Sequence, residues 1–222
     1  MKASMPVDTS VKTAPPREIQ PGQRSGPTRA LIIDAAEKMI AKDGVEGVSL
    51  RQIRVAIGSA NTTVVAYHFG GKEGLIEAIV MERHPILERR RAELLSIARR
   101  RGQDSDVGVL LHAIWYPYFE LTNFEGRHTY AAFLSSISRT HEAWINDSVG
   151  KHFPVELELR RLIAKQLPKS ADRFFAERSR IAFSMITTAL QCCDDSFSDK
   201  PLRARKMFET AMRMATTAML TP

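Results

Sequence analysis

Only two of the 222 residues are cysteine, Cys192 and Cys193, and they are neighbours. Adjacent cysteines rarely close an unstrained disulfide, so a disulfide framework is excluded. The pair lies in an apolar helical run, Ile181 to Cys193, where buried thiols act as small hydrophobes, and core packing is expected ahead of redox chemistry. No apolar run approaches the length of a membrane span, and the N-terminal stretch lacks the continuous apolar core of a signal peptide. A soluble, cytoplasmic protein with no membrane partner is expected. The histidines His68, His84, His112, His128, His141 and His152 show no paired ligand spacing such as His-Glu-x-x-His, and there is no Cys-x-x-Cys. Gly70-Gly71-Lys72 lacks the earlier glycine and the following Ser or Thr of a phosphate-binding loop. Glu156 with Glu158, and Asp194 with Asp195, read as acidic neighbours on a solvated surface. No nucleophile stands beside a base, so no catalytic residue, metal or cofactor is expected, and the chain does not read as an enzyme.

Strand signals are also missing: no hairpin turn or alternating pattern interrupts the chain, and the expected fold class is all-α. Residues 1–27, rich in Pro and Gly with hardly any large apolar side chain, read as a flexible arm that cannot offset the cost of ordering its backbone. From Arg29 to Lys42 a helical stripe of Ile32, Ala35, Ala36, Met39 and Ile40 ends at Gly44. Beyond residue 75, Leu75 to Leu95 suggest a long helix or two short ones, kinked or broken at Pro85. Helical segments follow at Asp104 to Glu120, Gly126 to Thr140, Pro154 to Leu167, Asp172 to Cys193 and Pro201 to Leu220, with breaks at Gly102, Gly126, Gly150, Pro168 and Pro201.

The most informative stretch is Ser49 to Gly74. Ser49 and Gln52 have the spacing of a capping box, and Leu50, Ile53 and Ile57 share one helical face. Gly58 suits a left-handed C-cap. Asn61 or Thr62 offers the next N-cap, and Val64, Val65 and Phe69 give a second short helix its apolar side. Thr62, Thr63, Ala66, Tyr67 and His68 are left for a partner. The pattern is compatible with an ordinary packed helix pair and with a DNA-reading helix–turn–helix. Gly70, Gly71 and Lys72 then open a further helix, whose free amides suit a phosphate.

Charge favours the second alternative. Residues 1–101 hold 17 Lys and Arg against 11 Asp and Glu, whereas residues 102–222 hold 15 against 14. The excess therefore lies in the half carrying the helix pair, where it would attract a phosphate backbone without choosing a sequence. The runs Arg89, Arg90, Arg91 and Arg99, Arg100, Arg101 lie beyond that segment and read as solvated helix edges.

Thr28 to Leu75 closely resembles the N-terminal DNA-binding domain of TetR-type transcriptional regulators, on Asp43-Gly44-Val45, the helix after Ser49, the turn at Gly58, and Tyr67-His68-Phe69 followed by Gly71-Lys72-Glu73-Gly74-Leu75. The segment between Gly58 and Tyr67 is one residue longer than the commonest family spacing, so Thr62, Thr63 and Val64 all remain candidates to lead the recognition helix. The resemblance implies an arm at 1–27, a DNA-binding head at 28–74 and a helical ligand-binding and dimerisation domain at 75–222. Nearest the bases it suggests Arg51, Asn61, Thr62, Thr63, Val64 and Tyr67, with His68 and Lys72 on phosphate and Thr28, Arg29, Ser49 and Gln52 as weaker phosphate candidates.

The same resemblance implies a homodimer through the two C-terminal helices, whose apolar faces read as Phe183, Ile186 and Leu190, then Phe208, Met212, Ala215, Ala218 and Met219. It also implies an effector pocket. Both Trp and three of the four Tyr fall in a short span, so His112, Trp115, Tyr116, Phe119, Phe133 and Trp144 are candidate walls. The function so implied is a dimeric repressor released from a palindromic double-stranded DNA operator by a small apolar or aromatic molecule. An activator, or a helical ligand-binding protein without repressor activity, remains the alternative.

Overall fold

The computed structural model describes residues 26–138, 141–167 and 173–221, and every regular element among them is a helix. The expected arm, apart from Gly26 and Pro27, lies outside these residues, as does the expected break at Pro168. Helix α1 (Pro27–Gly47) has proline at its first position, where the missing N–H is no loss, and its backbone leaves helical geometry at Gly44, with φ at 77°. Helix α2 (Leu50–Ala56) starts with the expected capping box, the Ser49 hydroxyl accepting from the Gln52 amide and the Gln52 side chain accepting from the Ser49 amide. Gly58 is left-handed, as its place after Ile57 requires. Helix α3 (Val64–Phe69) and the long α4 (Lys72–Arg100) complete the N-terminal part.

The remaining helices are α5 (Val107–Glu120), α6 (Thr129–Ile137), α7 (Glu142–His152), α8 (Pro154–Gln166), α9 (Phe175–Ser196) and α10 (Pro201–Leu220). One differs from the sequence reading, and α4 takes the long-helix form of the two that the sequence left open. Helix α7 was not foreseen: it runs through Gly150, because a glycine inside a helix costs only about 1 kcal/mol relative to alanine, and the chain breaks instead at Phe153, ahead of Pro154. Helix α4 continues through Pro85, which is exposed and removes one backbone hydrogen bond. Val80, His84, Leu87, Arg91, Leu95 and Ala98 recur on its buried side across the proline, and their packing holds the two halves in one helix.

One apolar core runs from Ile32, Ile40 and Ile53 through Leu75 and Ile79 to Phe133, Leu159, Ile186 and Phe208. Helix α1 packs on α6, α5 is held against α4, α8 and α10, and α9 and α10 pack together extensively. The last pair corrects one expectation: Ile186, Leu190, Phe208, Met212, Ala215 and Met219 are buried inside the protomer, so those side chains close its own core.

Where α3 meets α4 the chain turns so closely that a Cβ on Gly74 would lie 2.0 Å from the Phe69 carbonyl oxygen. Gly74→Ala is expected to destabilise the protein by about 1–3 kcal/mol through this backbone clash. Gly150→Ala has no neighbour within 4 Å of the added carbon and is expected to be neutral or stabilising by up to about 1 kcal/mol. Urea unfolding of the two variants checks the contrast.

Candidate DNA-binding head and ligand cavity

The helix–turn–helix is set by small polar contacts around its turn. Arg54 Nη1 donates to the Ser59 carbonyl (2.8 Å), the Ser59 hydroxyl accepts from the Asn61 amide (3.2 Å), and Asn61 Oδ1 accepts from both the amide and the hydroxyl of Thr63 (3.0 Å each). Thr63 is the N-cap residue and Val64 the first helical one. The N-cap is thus neither Asn61 nor Thr62, the two the sequence offered, but the residue after them, which Asn61 holds through its side chain. Val64 and Val65 face the core, so Val64, a base-facing candidate in the sequence, is placed with its side chain away from any partner. Thr62, Thr63, Ala66, Tyr67 and His68 are exposed, Tyr67 to 82 %, and Arg51 is exposed on α2. Asn61 is exposed too, with its carbonyl oxygen engaged by Thr63. Lys72 opens α4 directly after the positive-φ residues Gly70 and Gly71. Among the weaker candidates, Arg29 pairs with Glu82 (3.0 Å) and lies over the Phe69 ring (5.1 Å). Tyr67 and His68 thus stand exposed on a short helix anchored by two valines, with Asn61, Thr62 and Thr63 exposed just ahead of it, Arg51 on α2 and Lys72 at the start of α4.

In the rest of the chain, α4, α5, α6, α8 and α9 enclose a cavity of about 660 Å³. Trp115 lines it, with Ile114, Phe153, Phe175, Phe183 and Met219 among the apolar walls. The other five candidate wall residues lie elsewhere. His112 stacks on Tyr116 (4.5 Å between centroids), and Phe119 stacks on Phe208 (4.7 Å), on the α10 side of α5. Phe133 is fully buried against Tyr130, and Trp144 is half-buried at the edge of the core. The candidates come from α5, α6 and α7, and even on α5 alone consecutive side chains point about 100° apart, so they cannot all face one way.

What sequence reasoning missed is the polar end of the cavity. Arg91 Nη1 lies 2.6 Å from Glu156 Oε2, His84 Nε2 lies 2.8 Å from the same oxygen, and Arg160 Nη2 lies 2.5 Å from Oε1. Arg91 also donates to the Ile114 carbonyl (3.3 Å) and the Tyr118 hydroxyl (3.2 Å). With Nε2 of His84 donating to Glu156, its Nδ1 accepts from the Tyr130 hydroxyl at 3.2 Å. Arg91 and Glu156 are therefore not solvated surface charges, as their sequence neighbours suggested; both are buried. Glu158 does face solvent, paired with Arg99. Asp194 holds the ring and backbone amide of His128 (2.6 and 2.9 Å), while Asp195 pairs with Arg127. Cys193 packs between α9 and α10, donating to the Ala204 carbonyl, and burial pushes its thiol up to about 11. No group of three His, Cys, Asp or Glu side chains able to hold a metal occurs among the described residues.

Burial pushes His84 below its usual 6.5, against the pull of Glu156. Burial alone would raise Glu156, but the charges of Arg91 and Arg160 and the bond from His84 outweigh it and hold the carboxyl well below 4.5. Both groups bind fewer protons folded than unfolded, so stability from each is complete above its unfolded value and is lost on acidification through the folded one. Unfolding free energy is expected to begin falling below pH 6.5 through His84 and to fall further below pH 4.5 through Glu156. In His84→Gln the first of these declines should shrink, as measured by urea titrations across pH 4–8.

Residues 32–79 match the family model described as bacterial regulatory proteins, tetR family, which spans α2 and α3, most of α1 and the start of α4. No curated protein matches the chain. Among the described residues no helix is long and apolar enough to cross a membrane. Residues 32–79 are thus similar to the tetR-type domain of bacterial regulatory proteins, which supports a DNA-binding transcriptional regulator.

Proposed function

We propose that the protein is a homodimeric repressor whose DNA-reading heads are released from a palindromic operator when a small molecule enters the cavity between α4, α5, α8 and α9. The observation that carries this reading is a pair of neighbours in α4. His84 lines the cavity, while Arg83 reaches the head, its Nε donating to Glu37 (2.7 Å) and its Nη2 to Asp34, both on α1. Helix α6 repeats the arrangement: Tyr130 meets His84, and Thr129 donates to Glu37. A ligand that shifts His84 and its partners acts on the same two helices that clasp α1. It changes operator affinity only to the extent that it binds the two arrangements unequally.

On this reading Thr62, Thr63 and Tyr67 lie nearest the bases with Arg51 and Asn61, and His68 and Lys72 meet phosphate. A single six-residue helix discriminates poorly, and two of them must reach successive major grooves roughly 34 Å apart to read a palindrome. The dimer we favour uses the side of α9 and α10 that the protomer leaves uncovered, where Ile181, Ser184 and Thr188 on α9 and Met214, Thr217 and Leu220 on α10 are exposed. Residues 28–74 then act as the head and 75–222 as the ligand-binding and dimerisation body. Activation in place of repression would use the same contacts.

Selection of bound DNA from a random pool is expected to return a palindrome, and recovery of single unpaired half-sites would count against the dimer. Lys72→Ala is expected to weaken binding to all sequences and to flatten the salt dependence by about 0.9 log units per lost phosphate contact. Thr63→Ala should instead alter preference at particular base pairs. Uniform loss on specific and random DNA for both variants defeats this division of roles. Thr129→Val removes one bond of the clasp and is expected to leave operator and ligand affinities within about threefold while reducing their coupling by about 0.5–2 kcal/mol. Retardation titrations with and without ligand measure it, and undiminished coupling would remove α6 from the route.

A further inference from the structure

The hydrogen bonds that set the turn ahead of α3 also fix the polarity of one exposed side chain. A backbone N–H only donates, so the Asn61 atom that meets the Thr63 amide at 3.0 Å is its carbonyl oxygen, and that contact settles which way the Asn61 amide is turned. The same oxygen lies 3.0 Å from the Thr63 hydroxyl. An amide oxygen has no proton to give, so the hydroxyl proton of Thr63 points at Asn61. Asn61 is itself held in place, its backbone amide donating to the Ser59 hydroxyl (3.2 Å) and the Ser59 carbonyl accepting from Arg54 (2.8 Å). Thr63 makes no side-chain cap bond to α3, so its lone pairs are not spent on the helix's own amides. The residue is exposed, and what its hydroxyl offers outward is acceptor capacity only.

The neighbouring hydroxyls differ. Ser49 donates to Gln52 Oε1 (2.7 Å) and accepts from the Gln52 amide (3.3 Å), so it is used in both directions. Thr62 and Tyr67 are exposed, and their hydroxyls can turn to donate or accept as a partner requires. Of these four, Thr63 alone combines a committed proton with open lone pairs. In the major groove the bases present acceptors at purine N7, guanine O6 and thymine O4, and donors only at the exocyclic amines, adenine N6 and cytosine N4. A threonine free to rotate serves either kind. One that can only accept pairs with an amine and is repelled by the lone pairs of the acceptors.

We propose that Thr63 determines specificity by accepting from an exocyclic amine, adenine N6 or cytosine N4, and that Asn61 is the positioning residue that holds it to that choice. This rests on the reading of Thr63 as lying against base edges in the operator.

Every base pair carries one such amine in the major groove, so the test removes the amine itself. DNA selected from a random pool by the full chain is compared with DNA selected by Thr63→Val, which keeps the branched shape and lacks the hydroxyl. The base pair whose preference relaxes marks the contact. There adenine is replaced by purine, or cytosine by 2-pyrimidinone, each lacking the amine. In parallel duplexes the same pair loses an acceptor instead: N7 by a 7-deaza purine, O6 by 2-aminopurine, or O4 by 5-methyl-2-pyrimidinone. Amine removal is expected to weaken the unaltered protein about fivefold more than Thr63→Val, a comparison that cancels whatever the analogue does to the duplex. Acceptor removal should affect both proteins alike. Asn61→Ala releases the Thr63 proton, and the amine dependence should fall below about twofold. Asn61→Asp keeps an acceptor beside Thr63 and should retain that dependence, while its charge weakens binding to all sequences. A selected palindrome with no base pair relaxed in Thr63→Val, or a Thr63 dependence that follows an acceptor, overturns the proposal and leaves the regulator standing. Undiminished amine dependence in Asn61→Ala overturns the positioning role. Selection of no sequence at all defeats the DNA-reading head and this assignment with it.

Discussion

Arg91 is among the largest fully buried side chains of the described residues, and its charge has to be answered without water. Burying an ion costs several kcal/mol even after relaxation, and attraction to a partner repays this only when the geometry is good and the remaining donors are satisfied. Here the partners come from several elements. Glu156 arrives from α8, Tyr118 and the Ile114 carbonyl from α5, and His84 from one turn back on α4, itself bonded to Tyr130 of α6. Removing either charge of the central pair strands the other, a loss of about 3–5 kcal/mol in comparable cases. The cluster therefore fixes how four helices meet, and it does so at the end of the cavity. Apolar packing alone would tolerate several rotations of these helices; a saturated ion pair tolerates few.

That constraint explains why α4 stays whole. Its proline sits between His84 and Leu87, on the exposed side, and removes one hydrogen bond from the ladder. The buried stripe on either side is anchored both by apolar contact and by the Arg91 cluster, so continuity is retained from Lys72 to Arg100. The consequence is that the first turn of α4, beside the turn at Gly70 and Gly71, and the wall of the cavity belong to one helix.

The head was legible in the sequence because its determinants are local. A capping box, a left-handed glycine and two apolar residues one turn from Phe69 act within a few positions of each other, and all fall where the spacing put them. Even there the lead residue of α3 stayed open, since Asn61 serves Thr63 through its side chain without being the N-cap itself. The cavity was not legible, because its walls come from helices far apart in sequence and aromatic density says nothing about which face a ring takes. One signal was present. His84, Arg91 and Glu156 stand in apolar register, Arg91 four residues from both Leu87 and Leu95, and Glu156 three before Leu159. A charged residue in the middle of a buried stripe marks an internal partner, a stronger inference than the charge run Arg89 to Arg91 suggested.

Consecutive residues on a helix point about 100° apart, so Arg83 and His84 necessarily address different neighbours. Arg83 faces α1, and His84 faces the body. Thr129 and Tyr130 divide their attention in the same way from α6. Two adjacent helices thus each carry one residue for the head and the next for the cluster, and Glu37 is the point where both head contacts converge, with its carboxylate bonded on one oxygen by Arg83 and on the other by Thr129. Under the proposed repressor mechanism, no long chain of intermediates is needed between ligand and DNA. A rotation of α4 that relieves contact at His84 moves Arg83 by the same angle, and α1 must follow or leave Glu37 buried without its cation. Because that second outcome is costly, the head and the cavity wall are expected to move together.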